Sequence, residues 1–335
     1  MASDRCPACA TAVGTADRFC EVCGQDLASG VVRARWLTST GTPTACPDCG
    51  SPRLGAEDWC EGCGRRRPAG ARHTELDLGL VASVTDFGHR HERNEDAVGI
   101  AVLPGALLAV VCDGVSSTDR SDAASHAAVD AAIATLLAVL GEGGDPERAI
   151  EAGVIQAQAA AASMAGLDPG DTPPSCTFVC ATVTPDAIWV GWVGDSRAYW
   201  LPDGAGEPAC LTVDDSLGAA LTAAGVDEAV VARNPQAGAL MRWLGADATD
   251  TAPHVRTFTP AGPGRVLVCS DGLFRYFPAA ADLAAVSSAA DGEPARTPLA
   301  VACGLVKLAL DEGGHDNVTV ALLPFPPRPK GSVDD

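Results

Sequence analysis

Aromatic residues are scarce in this chain, at 4% of 335 positions. A core of stacked rings is therefore excluded, and Ala, Val and Leu must fill it. Apolar residues still reach 47%, so a chain of this length can bury a large core in two or three units. Uninterrupted apolar runs of membrane-spanning length are absent. The best candidate, Ala127–Leu140, is short and broken by Asp130, which argues against a transmembrane helix. No N-terminal stretch joins a basic start to an apolar core, so the expected location is the cytosol. Basic residues are few as well: 23 Lys and Arg stand against 43 Asp and Glu, a net charge of −20. Residues 1–70 hold eight of each sign, whereas residues 71–335 hold fifteen basic and thirty-five acidic side chains. A negative surface repels phosphates, so the larger part is not expected to bind nucleic acid nonspecifically. Most of its carboxylates are expected to serve solubility.

Cysteine is plentiful instead. Fourteen Cys in a reducing compartment are not expected to form a disulfide framework. Eight of them form an internal repeat: Cys6, Cys9, Cys20 and Cys23 recur forty residues on as Cys46, Cys49, Cys60 and Cys63. Pro7 recurs as Pro47, Phe19 as Trp59 and Gly24 as Gly64. A two-residue gap lets a tight turn aim two thiolates at one tetrahedral ion. Each repeat resembles the short zinc-ribbon family, which implies ribbons over residues 1–30 and 41–70 with one structural Zn²⁺ each. Units this small lack a core, so the metal would supply the folding energy. Rubredoxin-type iron fits less well because those proteins have a longer gap between Cys pairs. A thioredoxin-like redox use would need one pair on a strand–helix unit. Residues 24–45 and 64–75 are read as a connector and a linker. A closed four-cysteine site leaves no position open for catalysis.

The pattern changes near residue 76. Leu80–Thr85, Ala97–Leu103 and Leu107–Cys112 are predicted strands. Asp122–Leu140 and Pro146–Met164 are predicted helices, the first capped by Asp119 or Ser121 and the second started by Asp145-Pro146. Cys176–Val183, Ala187–Trp200 and Ala209–Thr212 are β-type runs. Short helices are predicted at Leu217–Ala224 and Gln236–Trp243, then strands at Arg256–Phe258 and Arg265–Cys269. A helix at Pro298–Asp311 stops at Gly313-Gly314, and Asn317–Leu322 is the last strand. Runs of strands separated by helix pairs indicate an α+β fold with antiparallel sheets. The tail, residues 327–335, is expected to be disordered.

Acidic strings sit at the ends of apolar runs: Asn94-Glu95-Asp96, Asp113-Gly114, Ser270-Asp271-Gly272 and Asp316-Asn317. Carboxylates converging at strand ends repel one another unless a cation lies between them. Oxygen ligands suit Mg²⁺ or Mn²⁺ rather than zinc. A binuclear hard-metal site is therefore expected. With Gly88-His89-Arg90-His91-Glu92-Arg93, Ser175-Cys176-Thr177, Gly194-Asp195-Ser196-Arg197 and Gly314-His315, these strings stand in the order of a known family. Residues 80–323 resemble the type 2C metal-dependent Ser/Thr protein phosphatases. The resemblance implies a four-layer α-β-β-α sandwich, two antiparallel sheets flanked by helices, over residues 76–326.

It also implies two Mn²⁺ or Mg²⁺ ions with a water or hydroxide between them, which attacks phosphorus in line without a phospho-enzyme. Asp113 would bridge the ions and the Gly114 carbonyl would add a ligand. Asp271 and Asp316 would hold one ion, and Glu95 and Asp96 would act directly or through water. Asp195 matches a residue used at a third metal or in support of the main site; an ordinary turn Asp is an equal reading. No cysteine nucleophile is needed, and Cys112, Cys176, Cys180, Cys210, Cys269 and Cys303 are read as core residues.

Four departures stand out. His91 takes the place of a phosphate-binding Arg, leaving Arg90 and Arg93 as substitutes. Val115 stands where some relatives carry a His after the Asp-Gly pair. Arg275 replaces an Asp four residues after the metal Asp. Residues 115–119 lack a Gly pair. The leading expectation is a phosphoserine/phosphothreonine phosphatase opposing a Ser/Thr kinase, with the ribbons placing it on a partner. The alternative is a catalytically weak, phosphatase-fold regulatory or binding module. Nucleic-acid binding by the ribbons is disfavoured by their zero net charge, which two negative charges per four-cysteine zinc site would lower further.

Overall fold

The computed structural model describes residues 72–326, except 119, 167–171, 205 and 290–296, together with Gly14 and the strand Val32–Arg35. The eight repeat cysteines and the tail lie outside the described residues. The chain opens with β1 (Val32–Arg35), β2 (His73–Asp77), β3 (Ala82–Asp86), β4 (Ala97–Leu103) and β5 (Ala106–Cys112). Helices α1 (Ser121–Gly141) and α2 (Pro146–Ala162) follow. Next come β6 (Ser175–Cys176), β7 (Phe178–Val183), β8 (Ile188–Val193), β9 (Arg197–Pro202) and β10 (Ala209–Cys210). Short α3 (Leu217–Ala223) and α4 (Glu228–Val231) precede β11 (Leu244–Gly245), β12 (His254–Phe258) and β13 (Gly264–Cys269). The chain ends with α5 (Asp271–Phe274), α6 (Ala280–Ala289), α7 (Pro298–Asp311) and β14 (Val318–Phe325).

Two six-stranded sheets carry the fold, ordered β1-β4-β5-β7-β8-β12 and β10-β9-β13-β14-β3-β2. Every pairing in them is antiparallel. A two-stranded ladder joins β11 to β6. Helices α1 and α2 cover the first sheet, and α5, α6 and α7 cover the second. This is the expected four-layer sandwich.

Its central strands lie buried on both faces and read as continuous apolar runs rather than alternating ones. In β5, Leu107, Ala109 and Val111 face the second sheet, while Leu108, Val110 and Cys112 face α1 and α2. In β13, Val266 and Val268 lie between the sheets, and Leu267 and Cys269 lie under the other helices. Helix α1 is long and apolar enough to cross a bilayer by composition alone. Its apolar residues Ala124, Ala128, Ala132, Ile133 and Leu136 are instead fully packed inside.

Several local expectations differ from the structure. The run Ala187–Trp200 is two strands, because Gly194 takes φ 103° and turns the chain. Cys176–Val183 is interrupted at Thr177, which leaves the ladder to bond Asp113 and Ser196. The predicted helix Gln236–Trp243 is absent. Asn234 turns its side-chain oxygen onto the Gln236 N–H, and Leu240 bridges to Ser216. The residue before α1 is Arg120, left-handed at φ 54° with no side-chain cap. Asp145 does cap α2, accepting from the Arg148 N–H with Pro146 at the first turn. β1 falls in the expected connector and β2 in the expected linker, both completing sheet edges. α4, α5 and α6 were not foreseen.

Candidate active site

Antiparallel order brings the acidic strings to one edge of the sandwich. β4 and β5 pair with Ala97 opposite Cys112, so Asp96 and Asp113 leave neighbouring strand ends together. β13 and β14 pair with Cys269 opposite Val320, which sets Ser270-Asp271 beside Asp316-Asn317. The turn between β8 and β9 adds Asp195.

Neutral side chains fix this edge. Asn317 Nδ2 donates to the carbonyls of Phe87 at 2.9 Å and Arg93 at 3.0 Å, and its Oδ1 accepts the Glu95 N–H at 2.7 Å. One amide thus locks the loop that presents Glu95 and Asp96. The Ser270 hydroxyl donates to Asp96 Oδ2 and accepts the Thr319 N–H, so it is not free to cap α5. The Thr319 hydroxyl also donates to Asp96 Oδ2, at 2.7 Å. Ser116 donates to Glu95 Oε2 at 2.7 Å, and the Gly114 N–H donates to the Glu95 carbonyl at 3.1 Å. A Cβ on Gly114 would stand 2.7 Å from that carbonyl, and one on Gly272 would stand 1.9 Å from the Asn317 carbonyl. Only glycine permits either approach. The Asp113 N–H donates to Thr177 Oγ1, whose hydroxyl lies 2.7 Å from that of Ser196.

The electrostatics are adverse without a cation. Burial, then the charges of Asp271 and Asp316, pushes Asp96 up to about 7, although its two hydroxyl partners work against this. Burial and Asp271 push Asp195 up to about 7. Asp113 is driven well above the usual carboxylate range by burial and by Asp96, Asp271, Asp195 and Asp316. Asp271 is raised by burial, against the pull of Arg275. The charges of Asp96, Asp195, Asp271 and Asp316 all act on Asp113, in keeping with the strand register that sets these residues at one edge. Asp96 Oδ1 is buried and has no hydrogen-bond partner. An oxygen-rich, acidic cluster with an orphaned carboxylate oxygen fits hard divalent cations.

The structure thus brings together Asp96, Asp113, Asp195, Asp271 and Asp316, with Glu95 and Gly114 tied to each other beside them. His91 Nε2 lies 3.1 Å from Asp316 Oδ1. Arg90 lines a cleft of ≈ 390 Å³ with Gly272, Arg275, Tyr276, His315 and Asp316. Arg93 enters the site's framework through its carbonyl. Ser116, Thr177, Ser196, Ser270, Asn317 and Thr319 support the acids and were not assigned roles from sequence; three sit directly beside a predicted site residue. Another cleft of ≈ 340 Å³ opens at the far end of β13 and β14, near Gly264 and Pro324, away from this chemistry.

Residues 88–300 match the family model for protein phosphatase 2C. The chain belongs to the protein phosphatase 2C family. Members of that family are metal-dependent phosphoprotein hydrolases acting on Ser and Thr. The serine/threonine protein phosphatase PstP of Mycobacterium tuberculosis is 29% identical over 249 residues, 72% of this chain and 44% of PstP. The chain therefore spans under half the length of that curated relative. The solved M. tuberculosis PstP/Ppp phosphatase aligns with a TM-score of 0.57 at 29% identity, covering 72% of this chain and 96% of its own. A PstP catalytic domain in complex with two manganese ions shares the protein phosphatase 2C fold, with a TM-score of 0.53 at 24% identity over 75% of this chain and 97% of its own.

Proposed function

We propose that the sandwich domain, from about residue 72 to residue 326, is a working phosphoserine/phosphothreonine protein phosphatase that uses two Mn²⁺ or Mg²⁺ ions. The observation that carries this reading is the set of five aspartates, Asp96 buried and the other four half-buried, drawn from separate strand ends and turns, whose mutual repulsion a cation would relieve. Asp113, at the centre of the mutual repulsion, is the residue proposed to face both ions, with the Gly114 carbonyl beside it. Asp271 and Asp316 would hold one ion; Glu95, Asp96 and Asp195 would complete the donor set. When bound, the ions would acidify a water and offset the charge of the phosphate.

The chain's own residues supply position. Asn317 fixes the Glu95 loop, Ser270 and Thr319 orient Asp96, and Thr177 anchors the backbone at Asp113. No group stands ready to protonate the leaving alkoxide from position 115, which is Val. Water or the phosphate itself would serve as the acid.

The Cys repeats are proposed to fold as two zinc ribbons that place the domain on a partner. A Ser/Thr kinase or its targets in the cytosol fit the substrate class. Phosphate release from a phosphothreonine peptide in the presence of Mn²⁺ tests the reading. Turnover by the wild type and a loss of about 10³-fold or more in Asp113→Ala, with folding retained, is expected. Near-wild-type turnover by the variant would reject the assignment.

A further inference from the structure

Two of the proposed metal ligands already have a cation against them. Arg275 Nη2 lies 2.6 Å from Asp271 Oδ2, and Nη1 lies 3.3 Å from Asp316 Oδ2. Among the described residues, the acidic side chains of the edge lie near one another without three of them closing round a single point. The guanidinium bridges these two carboxylates. Its side chain is 57% exposed and is rooted at the end of α5, on the lip of the cleft it shares with Arg90, Tyr276 and His315.

We propose that Arg275 competes with the metal ion for Asp271 and Asp316 and, once displaced, binds the substrate phosphate in this cleft. The identity of the anion rests on the phosphatase reading; the competition does not. A guanidinium brings one delocalised charge, whereas a divalent cation brings two and binds carboxylate oxygens directly. The ion therefore wins when present, but against a resident competitor. Arg275 then loses both partners and keeps a long, exposed stem. Its planar fork matches two phosphate oxygens at once. Arg90 and His315 on the same walls favour an anion. Asp316 also lines the cleft and disfavours one until an ion neutralises it. The arrangement thus sets an order, metal first and phosphate second. It also gives the His91 departure a physical counterpart: the side chain at 91 is paired with Asp316, and a guanidinium reaches the cleft from α5 instead.

Calorimetry on the metal-stripped full chain tests this, with Mn²⁺ and then inorganic phosphate as probes. Arg275→Ala is expected to bind Mn²⁺ about 5- to 10-fold more tightly, the scale of losing one nearby competing charge. The same variant, loaded with Mn²⁺, is expected to bind phosphate about tenfold more weakly, the loss of a charge-assisted fork. Arg275→Lys keeps the charge and loses the fork, so it should return Mn²⁺ affinity towards wild type without restoring phosphate affinity. Thermal melts confirm that each variant folds. Unchanged or weaker Mn²⁺ binding in Arg275→Ala, or unchanged phosphate binding, would overturn the proposal. Both readouts are equilibria. A wild type that shows both but hydrolyses no phosphopeptide would sink the phosphatase reading and leave the role of Arg275 standing.

Discussion

Asp96 concentrates the tension in this site. One oxygen is held by two hydroxyls, and the other is buried without a partner. Asp96 and Asp195 both sit up near 7, above the value of the unfolded chain. Between about pH 4 and 7 the folded, metal-free protein therefore holds protons that the unfolded chain has released. Stability linked to such groups falls as pH rises through that window. The melting temperature of stripped protein is expected to drop from about pH 5 to about pH 7.5, and Mn²⁺ should restore it at the upper end. Asp195→Asn should flatten the slope, and a slope unchanged in that variant would argue against this account. These acids were legible because each stands in a short string at the end of an apolar run. The hydroxyls that orient them were not. A lone Ser or Thr carries no periodic signal, and Thr319 meets Asp96 across a sequence separation of 223.

The strand ends depend on a few close fits. Asn317 makes three hydrogen bonds to the backbone of the Phe87–Glu95 loop. Asn317→Ala is expected to cost about 2–4 kcal/mol, the sum of partly buried bonds worth about 1 kcal/mol each plus stranded carbonyls. Denaturant unfolding would measure the cost, and the assay of turnover should show a parallel loss. A cost within 0.5 kcal/mol, the scale of a plain surface change, would contradict the role. Gly272→Ala should be at least as harmful, because the added carbon would sit inside the Asn317 carbonyl. Most strands and the long helices could be read from apolar runs, from Asp145-Pro146 and from the Gly313-Gly314 stop. Between β10 and β12, α3 was legible as the helix expected at Leu217–Ala224, but the one expected at Gln236–Trp243 is absent. The short α4, the Asn234 turn and the Ser216–Leu240 bridge are fixed by local side-chain bonds rather than by periodicity. β1 and β2 were missed because edge strands need only one apolar face and pair with residues far along the chain.

Two stacked sheets with helices outside give the acidic edge its rigidity, and the antiparallel register is what collects residues 95 to 316 in one place. The strings at the ends of apolar runs pointed to that convergence, and their order, through family resemblance, supported it. The Cys repeat makes a separate claim about the whole chain. Metal analysis of purified full-length protein is expected to give two Zn²⁺ per chain, and near-zero zinc or bound iron would reject the ribbons. The central claim, that the carboxylate edge binds two hard cations to hydrolyse a phosphomonoester, is tested most directly by titrating stripped protein with Mn²⁺. Bound ion and phosphate release from a phosphothreonine peptide would be followed together. Turnover that is absent at the start, rises as two ions bind and fails in Asp113→Ala is the predicted result. Turnover without metal, or none with two ions bound, would contradict it.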